Sequence, residues 1–449
     1  MASSGIPIGQ AIKLIAKSKL FREIMKEGAG EVAGSILPTS PSGSEGDGKL
    51  PHAPATTVVP FSISFTLGSQ EFSGAFDITS ELVWVPCCSS DTNYNLPCST
   101  TSTPGDVVYV VEQPATELYT CKSYTCQVIL QPPDCGATND DPPCAYVYTY
   151  GGGNDEKKTR GCLASRVFTF GNTQVPHVIF GCASTEKANN FGSTGVIGAN
   201  KGNLSIVSQL ELDRFSYYFA PEDTTNTESF IIFGDDDDEA EQQTGTRRYT
   251  PFLKNGPVSS MRTDLYFVEL TGIQVGGKNL PISSSGSGGG SSLEALLSTS
   301  VPVTYLEKNT YALLRDELTS ALGTNTRDGR STIGLPLCYD SKDMDRANIP
   351  EISLVFRGSN AIMALQQTNY LYQDVSTGLE CLTILPSPDS DGLSLIGSMI
   401  QTGTHMIYDI KGSRLGFETT QQPSNRATSA AAPPTLIIAY APRKRCQRK

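Results

Sequence analysis

The sequence predicts an all-β protein made of two similar lobes, and three observations carry that prediction. Short runs of alternating apolar residues, among them FSISFTL, RVFTFG, HVIFGC, SFIIFG, YFVELTGIQVGG, ISLVFRG and HMIYDI, recur between turn residues, the pattern of half-buried strands. The chain has 42 glycines and 28 prolines in 449 residues, about 16% against a usual share of about 12%, so turns are frequent and long helices few. An apolar-apolar-Gly element occurs twice, as Val196-Ile197-Gly198 and as Leu395-Ile396-Gly397, which points to an internal duplication.

Composition narrows the function classes. A length of 449 residues suggests two or three domains, and 38% hydrophobic with 18% charged residues is ordinary for a soluble globular chain. The net charge of −12 argues against binding to a nucleic-acid backbone, which needs clustered Lys and Arg. With only three histidines, His52, His177 and His405, a His-rich metal site or a Ser-His-Asp triad has little material, so any catalysis is carboxylate-based and no cofactor or metal is expected. Nine of twelve cysteines fall between Cys87 and Cys182; their even number and their spacing, which lacks CxxC pairs, favour disulfides over zinc and an oxidising compartment.

The elements follow in order. Residues 1–27 read as a basic, partly helical leader: Ile8, Ile12 and Ile15 fall at helical spacing, but Lys19, Arg22 and Lys26 continue the same stripe. Lys13 interrupts GIPIGQAIKLIA, so this run has no secretory h-region, and a targeting or membrane-surface segment competes with a loosely ordered leader. Residues 28–57, rich in Gly, Ser, Pro and Thr, are a flexible linker. Residues 58–222 and 223–420 are the two lobes, and 421–449 is a disordered basic tail whose TLIIAYA is too short to span a membrane. Within the second lobe, KNTYALLRDELTSAL is the clearest helix, with Tyr311, Leu314, Leu318 and Leu322 along one face. The acidic GDDDDEAEQQ and the tract SSSGSGGGSS are exposed loops. GIQVGGKN imitates a phosphate-binding loop, but Asn279 stands where a Ser or Thr hydroxyl should meet magnesium, and no helix follows; a β-hairpin is the better reading.

The segment FDITSELVWVPC, with Asp77 at the end of an apolar strand followed by small hydroxyl residues and the single Trp84, resembles the first catalytic loop of pepsin-like aspartic proteases. YTYGGG resembles that family's flap, with Tyr150 as the tyrosine that closes over substrate, and GVIGANKGNLSIVSQL resembles the strand and helix that follow. In the second lobe YFVELTGIQVGGKNLPI, LCYD, CLTILPSPDSDGLSLIGSMIQ and HMIYDIKGSRLGFE occur in the order seen in plant nepenthesin-like proteases and xylanase-inhibitor proteins. The resemblance spans about residues 58–419 and implies the bilobal pepsin-like fold with a cleft between two β-rich lobes, a Cys338–Cys381 disulfide, and an extracellular or vacuolar location. Asn203-Leu-Ser205 is a glycosylation sequon, relevant in a secreted chain.

Pepsin-like hydrolysis needs two carboxylates that share a proton, one activating a water and the other polarising the carbonyl. Here the second loop is LEALLSTSVPVTYL, and Ser298 occupies the aspartate position. A serine cannot share that proton, and an acid-base partner is worth about 10²–10⁴-fold in rate. The first loop also departs: Ile78 replaces a Thr whose hydroxyl bonds the opposite loop in the family, and Thr79 replaces a Gly. Asp328, Asp374 and Asp391 do not precede the Thr-Tyr-Leu context, so none substitutes for the missing carboxylate. NDEKKTRG reads as a charged insertion after Gly153 in the flap. Asp77 is therefore expected to cap local N–H groups rather than catalyse, and Trp84 to be core. The resemblance implies an inactive pseudo-protease, a monomer that holds a polypeptide or protein ligand in its cleft, with glycoside hydrolases as one partner class. The alternative is an active aspartic endopeptidase that cleaves polypeptides; a decayed coding sequence is a third reading.

Overall fold

The computed structural model describes residues 61–89, 108–111, 118–129, 141–150, 157–184, 195–221, 229–234, 247–282, 292–344, 347–387, 393–419 and 437–440. The expected leader and linker, the acidic stretch after Gly234 and nearly all of the Gly/Ser tract lie outside them. Among the described residues the strands form four sheets, and the helices are short apart from Lys308–Leu322. The chain is all-β and bilobal, as its alternating runs predict.

The first lobe is one sheet. Its strands run in the order Ser62–Leu67, Gln70–Asp77, Gly195–Gly198, Trp84–Cys88, Thr173–Ser184, Lys157–Phe170 and Ala145–Tyr150. Alternation decides which face is buried: Ile63, Phe65 and Leu67 all enter the core, while the residues between them stay at least partly exposed. The return strand then delivers Asp77 to its end.

The second lobe repeats the pattern. Phe267–Val275 lies between Ile352–Phe356 and Leu293–Leu297, followed by Ser394–Ile396, Thr304–Leu306 and Ile384–Pro386. The segment that imitates a phosphate loop is a hairpin, with Val275 opposite Lys278 and Lys278–Leu280 returning along the strand. Gly276 and Gly277 take φ of 55° and 82°, the left-handed pair that a two-residue turn requires and that side chains resist. Helix Lys308–Leu322 packs Tyr311, Leu314 and Leu318 on the core; Glu307 caps it by accepting from Thr310 N at 2.9 Å. A smaller sheet joins Arg327–Gly329, Leu335–Asp340, Leu379–Leu382 and Leu371–Asp374.

A sheet with strands from both halves of the chain joins the lobes. Arg214–Tyr218 lies between Phe230–Phe233 and Thr404–Asp409, and the sheet continues from Thr404–Asp409 to Arg414–Thr419 and Arg248–Pro251. Its face is aromatic: Phe215 stacks on Tyr408 at 4.5 Å, Tyr217 on Phe219 at 4.5 Å, and Tyr266 meets Tyr408 edge-on at 4.9 Å. Such pairs add about 0.5–1.5 kcal/mol each beyond their buried area. Ile437–Tyr440, inside the stretch expected to be disordered, forms a strand parallel to Phe230–Phe233. An Ile-Ile-Ala-Tyr run suits an unpaired sheet edge, and the basic residues after it masked that signal.

Disulfides join Cys87 to Cys182, Cys126 to Cys144 and Cys338 to Cys381, the last matching the pairing that the family resemblance implies. Cys88 and Cys121 are also disulfide-bonded. Cys162 departs from the expectation drawn from an even count: it is a thiol, and burial pushes it up to about 11, which makes it a poor nucleophile. Among the described residues no helix is long and apolar enough to cross a membrane.

His405 gives this fold a pH dependence. Burial, reinforced by Arg247 and opposed by Glu418, lowers its pKa to about 4; among the described residues its Nε2 has no hydrogen-bond partner, and its ring lies 5.1 Å from Phe230. The unfolded chain therefore takes up a proton near pH 6.5 that the folded chain refuses until about pH 4, and stability falls across that window. Denaturant unfolding at pH 7 and pH 4.5 should show a loss on the order of 2 kcal/mol that His405→Phe removes; an unchanged slope in the variant would assign the loss to other groups.

Candidate functional site

Two parallel strand pairings build the site, one in each lobe. Gln70–Asp77 runs beside Gly195–Gly198 with Asp77 opposite Gly198, and Leu293–Leu297 runs beside Ser394–Ile396 with Leu297 opposite Ile396. Ser298 continues the second pairing by donating its N–H to Ile396 O at 3.1 Å. Seven residues after Asp77, Trp84 opposes Val196; seven after Ser298, Tyr305 opposes Leu395. The duplicated apolar-apolar-Gly element is thus the strand on which each loop rests, and Asp77 and Ser298 occupy equivalent positions. Its glycine is required by close approach: a Cβ on Gly198 would lie 2.7 Å from Ser80 O and Leu82 O, and one on Gly397 2.2 Å from Val303 O.

The loops touch through hydroxyl groups. Thr299 Oγ1 donates to Phe76 O at 2.7 Å and accepts from Ile78 N at 3.2 Å, crossing between the lobes. The reverse bond is missing because Ile78 carries no hydroxyl; its side chain is instead fully buried in the core. Asp77 Oδ1 accepts from Thr79 N at 2.8 Å and Thr79 Oγ1 at 2.6 Å. Thr79 Oγ1 then meets Ser300 Oγ at 3.5 Å, and Ser300 Oγ meets Ser298 Oγ at 3.3 Å. Ser298 accepts Val301 N at 3.2 Å, and its carbonyl takes the Gln401 amide at 2.8 Å. Gln401 also accepts the Tyr217 hydroxyl, which ties the second loop to the aromatic face of the joining sheet.

Burial holds the Asp77 carboxyl above its ordinary value, even though hydrogen bonds from Thr79, Ser300 and Ser80 favour the ionised form. These partners are hydroxyl and amide groups, and Ser298 supplies no second carboxylate. Of the aspartates weighed as substitutes, Asp328 is exposed and paired with Arg330, and Asp374 accepts from Ser376 in an exposed hairpin turn. Asp391 lies outside the described residues.

Tyr148 reaches the first loop. Its hydroxyl accepts Glu81 N at 3.5 Å and lies close enough to Ser80 and Asp77 to feel both, while burial raises its pKa. Tyr150, the residue expected from the flap motif, is placed by its backbone opposite Lys157 in the same hairpin. Tyr146, Tyr148 and Tyr150 occupy alternate positions along one strand, a period-2 signal that could have nominated Tyr148. Of the charged run NDEKKTRG, Lys157 to Gly161 belong to strand Lys157–Phe170 and pair with Ala145–Tyr150 in this hairpin. Trp84 is buried beneath this hairpin with Tyr146, Leu163 and the Cys126–Cys144 disulfide, a core role.

The comparisons agree with this fold. A family model described as xylanase inhibitor N-terminal matches residues 61–235, and one described as xylanase inhibitor C-terminal matches residues 265–419. The chain belongs to the plant pepsin-like A1 family of the xylanase-inhibitor type. It is 28% identical over 371 residues to aspartic proteinase nepenthesin-1 of Nepenthes gracilis, covering 80% of this chain and 77% of that one. To aspartyl protease family protein 2 of Arabidopsis thaliana it is 27% identical, covering 76% of this chain and 66% of that one. Among solved structures, basic 7S globulin from soybean aligns with a TM-score of 0.58 at 17% identity, over 81% of this chain and 93% of that one. Conglutin gamma from lupine seeds aligns at 0.54 and 18%, over 80% and 90%. These two structures share the fold of this A1-family chain.

Two substitutions test the loop geometry. Thr299→Val leaves a buried N–H and a buried carbonyl without partners and should cost about 2–4 kcal/mol in urea unfolding, while Thr299→Ser should lose far less; a valine variant as stable as wild type would remove the bridge from the account. Because the folded Asp77 pKa is raised, its favourable contribution is present below the ordinary carboxylate range and lost as pH rises through the folded value. Asp77→Asn should therefore raise the melting temperature at pH 7 and change it little near pH 3.

Proposed function

We propose that this A1-family protein has lost peptidase chemistry and acts as a binding protein, holding a polypeptide segment or a protein surface between its two lobes. The observation that carries this reading is the pairing of Asp77 with Ser298 at equivalent loop positions, with Thr79 and Ser300 hydroxyls between them. An aspartic peptidase divides the work between a base that activates water and an acid that polarises the carbonyl. Asp77 alone can take only one of those roles at a time. Its Oδ1 already receives two bonds from Thr79, as in a residue that stabilises a turn.

In this reading Asp77 and Ser298 mark the first- and second-lobe positions, and Tyr148 and Tyr150 belong to the hairpin that closes over the ligand. The lobes correspond to residues 58–222 and 223–420. The xylanase-inhibitor family models favour a glycoside hydrolase as one class of partner. The disulfides favour an extracellular or vacuolar location. The relatives named as aspartic proteinases favour the other reading, an active endopeptidase.

Peptide cleavage between about pH 2.5 and 6, where one member of a carboxylate pair holds a proton, separates the two. A sample shown to be folded by circular dichroism should give no cleavage that is sensitive to a statine-type inhibitor, and Ser298→Asp should raise any background rate by up to about 10²–10⁴-fold. Inhibitor-sensitive cleavage by the unmodified chain that disappears in Asp77→Ala would overturn the proposal in favour of the endopeptidase.

A further inference from the structure

A cavity of about 260 Å³ lies beside the joining sheet, lined by Lys201, Phe252, Lys254, Ser259, Thr263, Ile410 and Ser413. Its walls come from three places in the chain. Lys201 follows the strand that pairs with Asp77, Phe252 to Thr263 follow strand Arg248–Pro251, and Ile410 and Ser413 form the turn between Thr404–Asp409 and Arg414–Thr419. Two backbone-anchored contacts fix that junction: Lys201 N donates to Asp264 O at 2.8 Å, and the Tyr266 hydroxyl to Ala199 O at 3.1 Å.

The charges in this cavity are unbalanced. Lys201 is half-buried, its ammonium 5.2 Å from the Tyr266 ring and 6.0 Å from the Phe252 ring. Burial lowers its pKa to about 8; Asp264 opposes that shift, and the neighbouring Lys254 adds to it. The Asp264 carboxylate is already engaged by Arg262 at 3.1 and 3.0 Å and by the Asn200 amide at 3.4 Å. Among the described residues neither lysine ammonium hydrogen-bonds a carboxylate. Among the described residues two cations therefore share one concavity whose neighbouring carboxylates, Asp264 and Glu294, are already hydrogen-bonded to Arg262 and to the Val258 and Ser259 N–H groups, and an aromatic face recovers only part of the cost of desolvating an ammonium.

The remaining wall suits a ligand that is charged at one end and apolar at the other. Phe252 and Ile410 give it an apolar side. Ser259, whose Oγ accepts from Gly256 N at 2.9 Å, Thr263 and Ser413 bring three hydroxyls to the lining. Lys254 and Thr263 are exposed, so the cavity opens to solvent. Its volume far exceeds the roughly 10–15 Å³ that one water needs, and falls just below the roughly 300 Å³ at which drug-sized sites begin.

We propose that this cavity binds a small organic anion, held through a carboxylate or phosphate group by Lys201, Lys254 and the surrounding hydroxyls, with its apolar part against Phe252 and Ile410. Such a ligand contacts the Asp77-bearing half of the molecule and the joining sheet together, so it fastens one to the other. The site uses neither Asp77 nor Ser298 and stands apart from the proposed cleft function.

Isothermal titration of the full chain with phenyl phosphate and with benzoate, at fixed ionic strength and pH 6, tests it. Saturable 1:1 binding of one or both in the millimolar range or tighter is expected, and the probe that binds identifies the preferred acid group. Lys254→Met, a change at the exposed rim that leaves the fold intact, should weaken that binding at least tenfold; Lys201→Met should do the same where circular dichroism shows it folded; Asp77→Asn should bind as wild type does. No saturable binding of either probe, or equal binding by wild type and Lys254→Met, overturns the proposal.

Discussion

One buried hydroxyl governs how the two loops meet. Thr299 Oγ1 holds Phe76 O and Ile78 N at once, so the ends of two strands from different lobes must arrive at one level and one distance. Each arrival is prepared by a parallel neighbour, Gly195–Gly198 on one side and Ser394–Ile396 on the other, whose glycines let the following loop pass against bare backbone. Gln401 extends the constraint outward, with its amide on Ser298 O and its carbonyl taking the Tyr217 hydroxyl. A hydrogen bond nets only about 1 kcal/mol on folding, but the loss of a buried partner costs more, which is why so few polar contacts can fix so much geometry.

The first loop no longer returns the bond. Ile78 has no hydroxyl and is fully buried among the core residues of the first lobe, which stabilises the loop by packing and leaves the polar connection to Thr299. Thr79 changes Asp77 in a related way. With the Thr79 N–H and hydroxyl on the same carboxylate oxygen, Asp77 is organised by its own turn rather than by a partner across the interface.

Most of this architecture was legible in the sequence because it rests on period and chain order. The alternation of Ile63, Phe65 and Leu67, the helix from Lys308, the Gly276-Gly277 hairpin and the duplicated strands ending at Gly198 and Gly397 are each set by local residues, and each is in place. Ser298 could be placed because the Thr-Tyr-Leu run after it fixes the register. Features set by tertiary context were harder to read. Tyr148 and Tyr150 occupy alternate positions along one strand, and only the position of the Asp77 loop shows which hydroxyl meets Glu81 N. The charged run NDEKKTRG carries no apolar alternation, so its share in strand Lys157–Phe170 shows only in the pairing with Ala145–Tyr150. Lys201 carries no local signal, since its aromatic floor comes from residues more than fifty positions away.

Serine at position 298 also relaxes an electrostatic cost. A second carboxylate there would lie within the same hydroxyl chain as Asp77, in a region where burial already disfavours the single charge present. Two such groups must share a proton or repel, and that tension is what aspartic catalysis exploits. Ser298 meets the same backbone demand, accepting Val301 N and presenting its carbonyl to Gln401, with no charge to desolvate. The elements that hold the loops together, Thr299, Gln401 and the two close-approach glycines, act independently of that carboxylate. Loop geometry and the second carboxylate therefore place separate demands on the sequence.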